Sequence, residues 1–307
     1  MLYTFHNGKF VTNSIEYSVS YHCNLQCIQC SHLSPYMNEP FPHIDGFKDD
    51  LFRLSEVLHA KVIRLLGGEP LLNPDIDKFV AIAKQSGIAD MVMVTTNGLL
   101  LHRMSDAFWQ NVDEVLVSLY PNVSLGESYL SLKQRAKAHN TRLWFQIINS
   151  FRTTILSTPY KKNCITTLIY RSCKDTHYFH CHMIHEGMLY KCAVPPFLPS
   201  YLATINQQYN PQPDGISIHN NSDLAAELKC YLTDRNALEA CRYCLGSLGK
   251  RIPHKLLTPN NSPDAVVTSG SKPVTRKNSL DYKMLVKETY GYLTRRLIEK
   301  LTGEMKW

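Results

Sequence analysis

The chain has 307 residues, 44% hydrophobic and 19% charged, ordinary values for a globular protein of one large or two smaller domains. No apolar run is long enough to span a bilayer, and MLYTFHNGKF lacks the basic-then-apolar order of a secretory signal. This excludes membrane-spanning and secreted disulfide-built classes, and ten cysteines argue for metal binding rather than disulfides, in a protein expected in the cytoplasm. The net charge of +7 lies entirely in the tail, since residues 1–249 hold 21 Lys/Arg and 21 Asp/Glu while residues 250–307 hold 12 and 5, which argues against a nucleic-acid partner for the body.

Residues 15–21 (IEYSVSY) are β-branched and aromatic and predict a strand that ends where Cys23, Cys27 and Cys30 begin. Thiolates at C-x3-C-x2-C spacing fit one compact iron–sulfur cluster, a soft-ligand site. Three cysteines leave one iron of a cubane without a protein ligand, whereas a structural zinc or cluster site is normally closed by four. Zinc or scattered thiols remain the alternative on spacing alone. Residues 31–45 read as loop, and 47–59 present a helical apolar face. Strand 61–66 leads to Gly67-Gly68-Glu69-Pro70. The glycines allow close approach of the backbone to a ligand, and the glutamate can accept from a cationic group. Asn73 and Pro74 predict an N-cap and first helical residue, with Gly87 as C-cap. Strand 91–98, a short helix at 103–111, strand 113–121, helix 127–140 and strand 141–148 follow. This alternation implies parallel strands joined by crossover helices, an α/β fold, with 164–171 (CITTLIYR) as the candidate sixth strand.

The GGEP segment, one strand and one helix after the cysteine triplet, makes the chain resemble the radical S-adenosylmethionine (AdoMet) superfamily. The resemblance implies a partial (βα)6 TIM-like barrel with its site at the C-terminal strand ends. It implies that Cys23, Cys27 and Cys30 hold a [4Fe–4S] cluster, that the open iron chelates AdoMet, and that Gly67, Gly68, Glu69 and Pro70 contact its amino group. By the same resemblance Thr96 and Asn97 of TTNG, Ser118 of VLVSLYP and Gln146 are further AdoMet contacts. The other reading of each is a buried strand-end polar group bonded to backbone. Two positions depart from the family: Tyr120 stands where an aspartate is usual, and Gln29 replaces the aromatic residue before the third cysteine, which puts the adenine packing in question.

From 173 the composition changes. Cys173-x13-Gly187-x4-Cys192 resembles the opening of the twitch/SPASM auxiliary-cluster module, MIHEGMLYK fits a β-hairpin turning near Glu186-Gly187, and a helix over 222–240 runs into Cys241-x2-Cys244. The resemblance implies a second [4Fe–4S] cluster on Cys173, Cys192, Cys241 and Cys244, with a zinc site as the alternative and Cys181 able to replace Cys173. Cys164, Cys181 and Cys230 are either small buried side chains or hydrogen-atom donors to a substrate radical. His177, His180, His182 and His185 read as surface or cluster-neighbour residues. The organisation expected is a core domain at 1–172, a twitch-like module at 173–249, and a basic linker (258–279) with a C-terminal amphipathic helix at 250–307. The tail helix either packs on the barrel, meets a partner, or lies on a membrane surface.

The activity implied is reductive cleavage of AdoMet, with the electron from a flavodoxin- or ferredoxin-type donor, followed by hydrogen abstraction from substrate. Four ligands leave the auxiliary cluster no open iron, so an electron-accepting role follows and the reaction resembles that of aminoglycoside-pathway dehydrogenases. A thiol donor would give an epimerase instead. A small hydroxylated, sugar- or aminocyclitol-like substrate is favoured because strand one begins too near the N-terminus for a preceding peptide-recognition domain. Modification of a ribosomal peptide is the next alternative, and a non-catalytic iron–sulfur DNA sensor the last.

Overall fold

A computed structural model of the chain describes residues 3–37, 40–220, 223–257 and 279–302. The expected linker falls outside these residues except for Ser279. In order, the elements are β1 Thr4–His6, β2 Lys9–Ser20, α1 Ile44–Ser55, β3 Leu58–Gly67, α2 Ile76–Gln85, β4 Ala89–Thr96, α3 Asp106–Asn111, β5 Glu114–Leu119, α4 Tyr129–Ala138 and β6 Arg142–Ile147. Then come β7 Ser150–Arg152, α5 Asn163–Arg171, α6 Lys174–His177, β8 His182–His185, β9 Met188–Tyr190, α7 Val194–Ala203, β10 Gly215–Ser217, α8 Leu224–Thr233, β11 Arg251–Pro253 and α9 Tyr282–Thr302.

Strands β2, β3, β4, β5 and β6 pair in succession and in parallel, the topology of a partial TIM-like barrel. A sixth parallel strand exists, but not where the sequence placed it. Residues 164–171 lie in α5, where the buried residues Thr166, Ile169 and Tyr170 follow helical spacing. The sixth parallel strand is β8, which pairs with β2 on the opposite edge (Ile15↔His182, Tyr17↔Ile184). The β8–β9 hairpin turns through Glu186 and Gly187 at φ 47° and 75°, as its sequence predicts, and β10 extends the sheet antiparallel. The sheet therefore runs across the expected 172/173 boundary without a break.

Ile15, Tyr17 and Val19 pack with Phe47, Leu51 and Leu54 of α1 in the main core on the helix side of the sheet. Alternation turns Ser14, Glu16, Ser18 and Ser20 to the other face, where they are also buried. A second core, containing Leu66, Met183, Phe197 and Cys244, covers that inner face near β2, β3 and β8.

Several boundaries shift for local reasons. Asn73 does not cap α2: its Oδ1 accepts from Asp75 N (2.9 Å) and its Nδ2 donates to Val19 O (2.6 Å), so the helix begins at Ile76. The helix expected through 240 stops at Thr233, because Asp234 is extended and its Oδ1 accepts from Asn236 N (3.1 Å). A 3₁₀ turn at Glu239–Arg242 then carries the first cysteine of the CxxC pair. Of the three readings for the tail helix, packing is observed at its start. Leu280 and Leu285 are buried with Leu156, Ile169, Leu245 and Leu248. No helix among the described residues is long and apolar enough to cross a membrane.

Candidate active site

β2 delivers Cys23, Cys27 and Cys30 on a tight loop in which Cys30 N donates to Cys27 O (3.3 Å). Burial pushes the Cys23 and Cys27 thiols up to about 12, and mutual repulsion with Cys30 adds to both, so the three lie within electrostatic reach of one another. The loop is tied to the end of β3 through backbone: Gly68 N donates to Ser20 O (2.7 Å) and Glu69 N to His22 O (2.9 Å). A Cβ on Gly67 would stand 2.2 Å from Ser20 O, and one on Gly68 2.0 Å from His22 O, so both glycines serve a backbone–backbone approach as well as any ligand.

Glu69 is buried, and its carboxylate accepts from Thr96 Oγ1 (2.5 Å), Asn97 N (2.8 Å) and Leu71 N (3.1 Å). Burial outweighs these bonds and pushes its carboxyl up to about 7. Asn97 continues the chain of contacts, donating to Asn24 Oδ1 at 2.6 Å and lying 3.9 Å from Cys23 Sγ. The GGEP segment, the TTNG segment and the cysteine loop are thus one assembly. Ser118 pairs in register with Gln146 on β6; Ser118 is buried and Gln146 exposed.

Three features of this region were not foreseen from the sequence. Gln29, at φ 60°, is a clamp: its Oε1 accepts from Thr154 N (2.8 Å) and Ile155 N (3.0 Å), and its Nε2 donates to Ile155 O (3.4 Å). Tyr120 faces the triplet, and burial first, then Cys27, Cys30 and Cys23, oppose its ionisation. His254, from the presumed tail, places Nε2 3.2 Å from Cys27 Sγ and its ring 4.8 Å from that of Tyr120. A non-aromatic residue at 29 and a tyrosine at 120 were visible as departures; nothing near 254 signalled its return to the loop.

Cys173, Cys192, Cys241 and Cys244 line one small cavity, walled also by Ile169, Tyr170, Val194 and Leu238. Burial raises all four thiols, and mutual repulsion among them raises Cys192, Cys241 and Cys244 further. A Cβ at Gly246 (φ 50°) would lie 2.6 Å from Cys173 Sγ, so glycine there leaves room for the fourth thiol. The CxxC turn is held by Asp214, whose carboxylate accepts from Glu239 N and Ala240 N at 2.7 Å each. Four sulfur donors are the donor set that iron–sulfur clusters and structural zinc sites share. Among the described residues no three His, Cys, Asp or Glu side chains converge on a point suited to a single metal ion. Thiolates bound to different irons of one cubane do not need to converge on one.

Cys181 lies outside this cavity. Its thiol faces Glu16 on the inner face of β2: burial first, then the charges of Glu16 and Asp175, push the thiol up, and burial pushes Glu16 up to about 6. Arg64 Nη1 is 3.5 Å from Glu16 Oε1. Cys164 and Cys230 are exposed, on α5 and α8. Of the two readings for the histidines, surface or cluster neighbour, the surface one does not hold, while His182 Nδ1 lies 3.0 Å from the backbone oxygen of Lys191, next to Cys192. His180 and His182 are buried, stacked at 5.3 Å and covered by Tyr3, while His177 and His185 are half-buried. Burial pushes His180 to about 3 and His182 to about 4. Lys191 is also buried, and burial pushes its ammonium down to about 8.

Residues 17–152 match the family model described as the Radical SAM superfamily. Two curated relatives are GTP 3',8-cyclases. That of Chlorobaculum tepidum is 31% identical over 159 residues, 51% of this chain and 45% of the relative. That of Nautilia profundicola is 34% identical over 116 residues, 36% of each chain. The chain thus spans less than half the length of these relatives. Among solved structures, BtrN in complex with AdoMet and 2-DOIA aligns at TM-score 0.46 and 16% identity over 76% of this chain and 92% of that one. His6-tagged anSMEcpe with bound AdoMet aligns at TM-score 0.41 and 13% identity over 94% and 98%.

Proposed function

Because residues 17–152 of this chain are a radical SAM superfamily domain, we propose that it removes a hydrogen atom from a small polar substrate and completes a two-electron oxidation with the help of an auxiliary [4Fe–4S] cluster. When bound, the core cluster and AdoMet supply the abstracting radical. The chain's own part would be as follows. Cys23, Cys27 and Cys30 would hold the core cluster. Glu69, fixed by Thr96 and Asn97, would set the edge against which the AdoMet amino group lies, and Ser118 and Gln146 would line the same strand ends. Cys173, Cys192, Cys241 and Cys244 would hold the second cluster.

The observation that carries this reading is the cavity lined by all four of those thiols. A centre with four protein ligands has no vacancy for substrate, so the use left to it is to receive an electron. Glu16, Arg64 and Asp175 beside Cys181 make the inner face polar, which suits hydroxyl or amino groups on the substrate. The cyclase activity of the curated relatives belongs to those proteins; alignment with less than half of their length does not transfer it.

A second reading has one observation in its favour. Cys181 is the thiol, outside the two cysteine sets, that reaches the inner face, and the neighbouring Glu16 carboxyl would supply a proton for a hydrogen-donating thiol in an epimerase.

The test is iron and sulfide content of anaerobically reconstituted protein beside a Cys23→Ala/Cys27→Ala/Cys30→Ala variant, with 5'-deoxyadenosine formation under dithionite. About eight irons falling to about four, with cleavage abolished, supports two cubanes. About four falling to none removes the auxiliary cluster and the oxidation with it. Once a substrate is in hand, solvent deuterium in the product, lost on Cys181→Ala, would favour the epimerase.

A further inference from the structure

Lys191 is 2% exposed and immediately precedes Cys192. Its ammonium donates to Tyr170 Oη (3.0 Å) and to the backbone oxygen of Asp234 (2.7 Å), and lies 4.9 Å from the Tyr231 ring centre and 5.5 Å from that of Tyr170. These partners are dipoles and π faces. Among the described residues its ammonium makes no ion pair, and the carboxylates of Asp234 and Asp214 act on it only from a distance. Asp214 is already engaged by the 239–240 turn. Two buried or half-buried histidines, His182 and His177, are repelled by the same charge. Holding a cation dry without a counter-charge is expensive, and native folds rarely do it.

The counter-charge has an evident place. Tyr170, which holds the ammonium at 3.0 Å, is itself a wall of the four-thiol cavity, and Lys191 directly precedes Cys192, one of its four thiols. Four thiolates around an oxidised [4Fe–4S] core form a dianion, which becomes a trianion on gaining one electron.

Resting on the auxiliary-cluster reading above, we propose that Lys191 is the buried counter-charge of that centre and raises its reduction potential, so that it accepts an electron. A fixed cation stabilises the trianion more than the dianion, and burial keeps water and salt from screening the difference. Lys191 is on this account a positioning residue for the cluster's electronics and touches no substrate.

The experiment uses full-length protein carrying Cys23→Ala/Cys27→Ala/Cys30→Ala, so that only the auxiliary centre gives a signal. Lys191→Met and Lys191→Gln are added singly, iron and sulfide are measured, and the midpoint is read by EPR-monitored titration with dithionite. Both neutral variants are expected to keep iron and to move the midpoint to more negative potential. Lys174→Met is the control, since Lys174 neighbours Cys173 but is partly exposed and paired with Glu288 at 2.9 Å; it should move the midpoint less. Unchanged midpoints in both neutral variants overturn the proposal, as does an equal shift in the control. Loss of iron from both assigns Lys191 to assembly and overturns it too. Zinc without iron in the parent variant defeats the auxiliary-cluster reading itself, and the proposal with it, whatever Lys191 does.

Discussion

Replacing Gln29 with alanine tests whether the cysteine loop is held by its clamp. The substitution removes the acceptor shared by Thr154 N and Ile155 N and the weaker bond to Ile155 O. A buried donor left without an acceptor costs about 1–3 kcal/mol. Thr154 keeps partial access to water while Ile155 is buried, so the two together should cost about 2–3 kcal/mol. The positive φ at 29 burdens glutamine and alanine alike and cancels in the comparison. At about 1.4 kcal/mol per tenfold, local opening of 153–156 should become roughly 30- to 140-fold more frequent. Amide exchange of anaerobic protein reads this directly, with peptides from β3 and β4 as internal reference. Unaltered exchange at 154 and 155 would refute the clamp, and uniform acceleration throughout would show that global stability had fallen instead.

Three further outcomes are expected. The Glu69 carboxyl is raised to about 7 from 4.5, so the folded state binds its proton more tightly and the associated stability is present below about pH 4.5 and lost as pH rises through 7. Linkage puts the change on the order of 3 kcal/mol for the metal-free protein; Glu69→Gln should flatten the urea-midpoint profile across that window, and an unchanged slope would show the group is not the cause. Gly246→Ala places a methyl against Cys173 Sγ and should lower auxiliary iron while leaving the core iron in place, measured in variants lacking one cysteine set at a time. Gly249→Ala would bring a Cβ within 2.0 Å of Thr153 O and should open the Thr153–Lys250 backbone bond, seen as faster exchange at 153.

The parallel strands were legible because each is a short apolar run followed by turn chemistry and a helical period, and the hairpin because only a tight turn suits Glu186-Gly187. The same local signals mislead in α5, whose Ile-Thr-Thr-Leu-Ile run has β propensity while its burial follows a helix. Pairing of β8 with β2 was beyond reach, since nothing local in Ile15 specifies His182 as a neighbour. Spacing grouped Cys23, Cys27 and Cys30, and Cys241 with Cys244; that Cys173 and Cys192 join the latter pair came from the resemblance to the twitch/SPASM opening, and the four do line one cavity. Spacing could not place Cys181, whose environment is set by Glu16 on a strand far away in sequence. Gln29 and His254 were opaque for the same reason: each has its meaning only through a partner more than a hundred residues off.

One short stretch explains why the two cysteine sets belong to a single structure. Directly after Cys244, Leu245 N bonds Thr154 O, and Thr153 N bonds Lys250 O. β11 then pairs with β7, His254 N bonds Asn149 O, and Ile28 N and Leu257 N exchange bonds with Lys255 O and Gln26 O. The segment that begins at one thiol cavity therefore ends as an antiparallel partner of the loop that carries the other. Gln29 grips the same 154–155 backbone that Leu245 holds, so the strap is fixed from both sides. Each backbone bond contributes only about 1 kcal/mol, but a strap tied at this many points cannot shift at one end alone. Under the proposed function, this fixed spacing between the two cysteine sets is what transfer of an electron from a substrate to an auxiliary cluster would need.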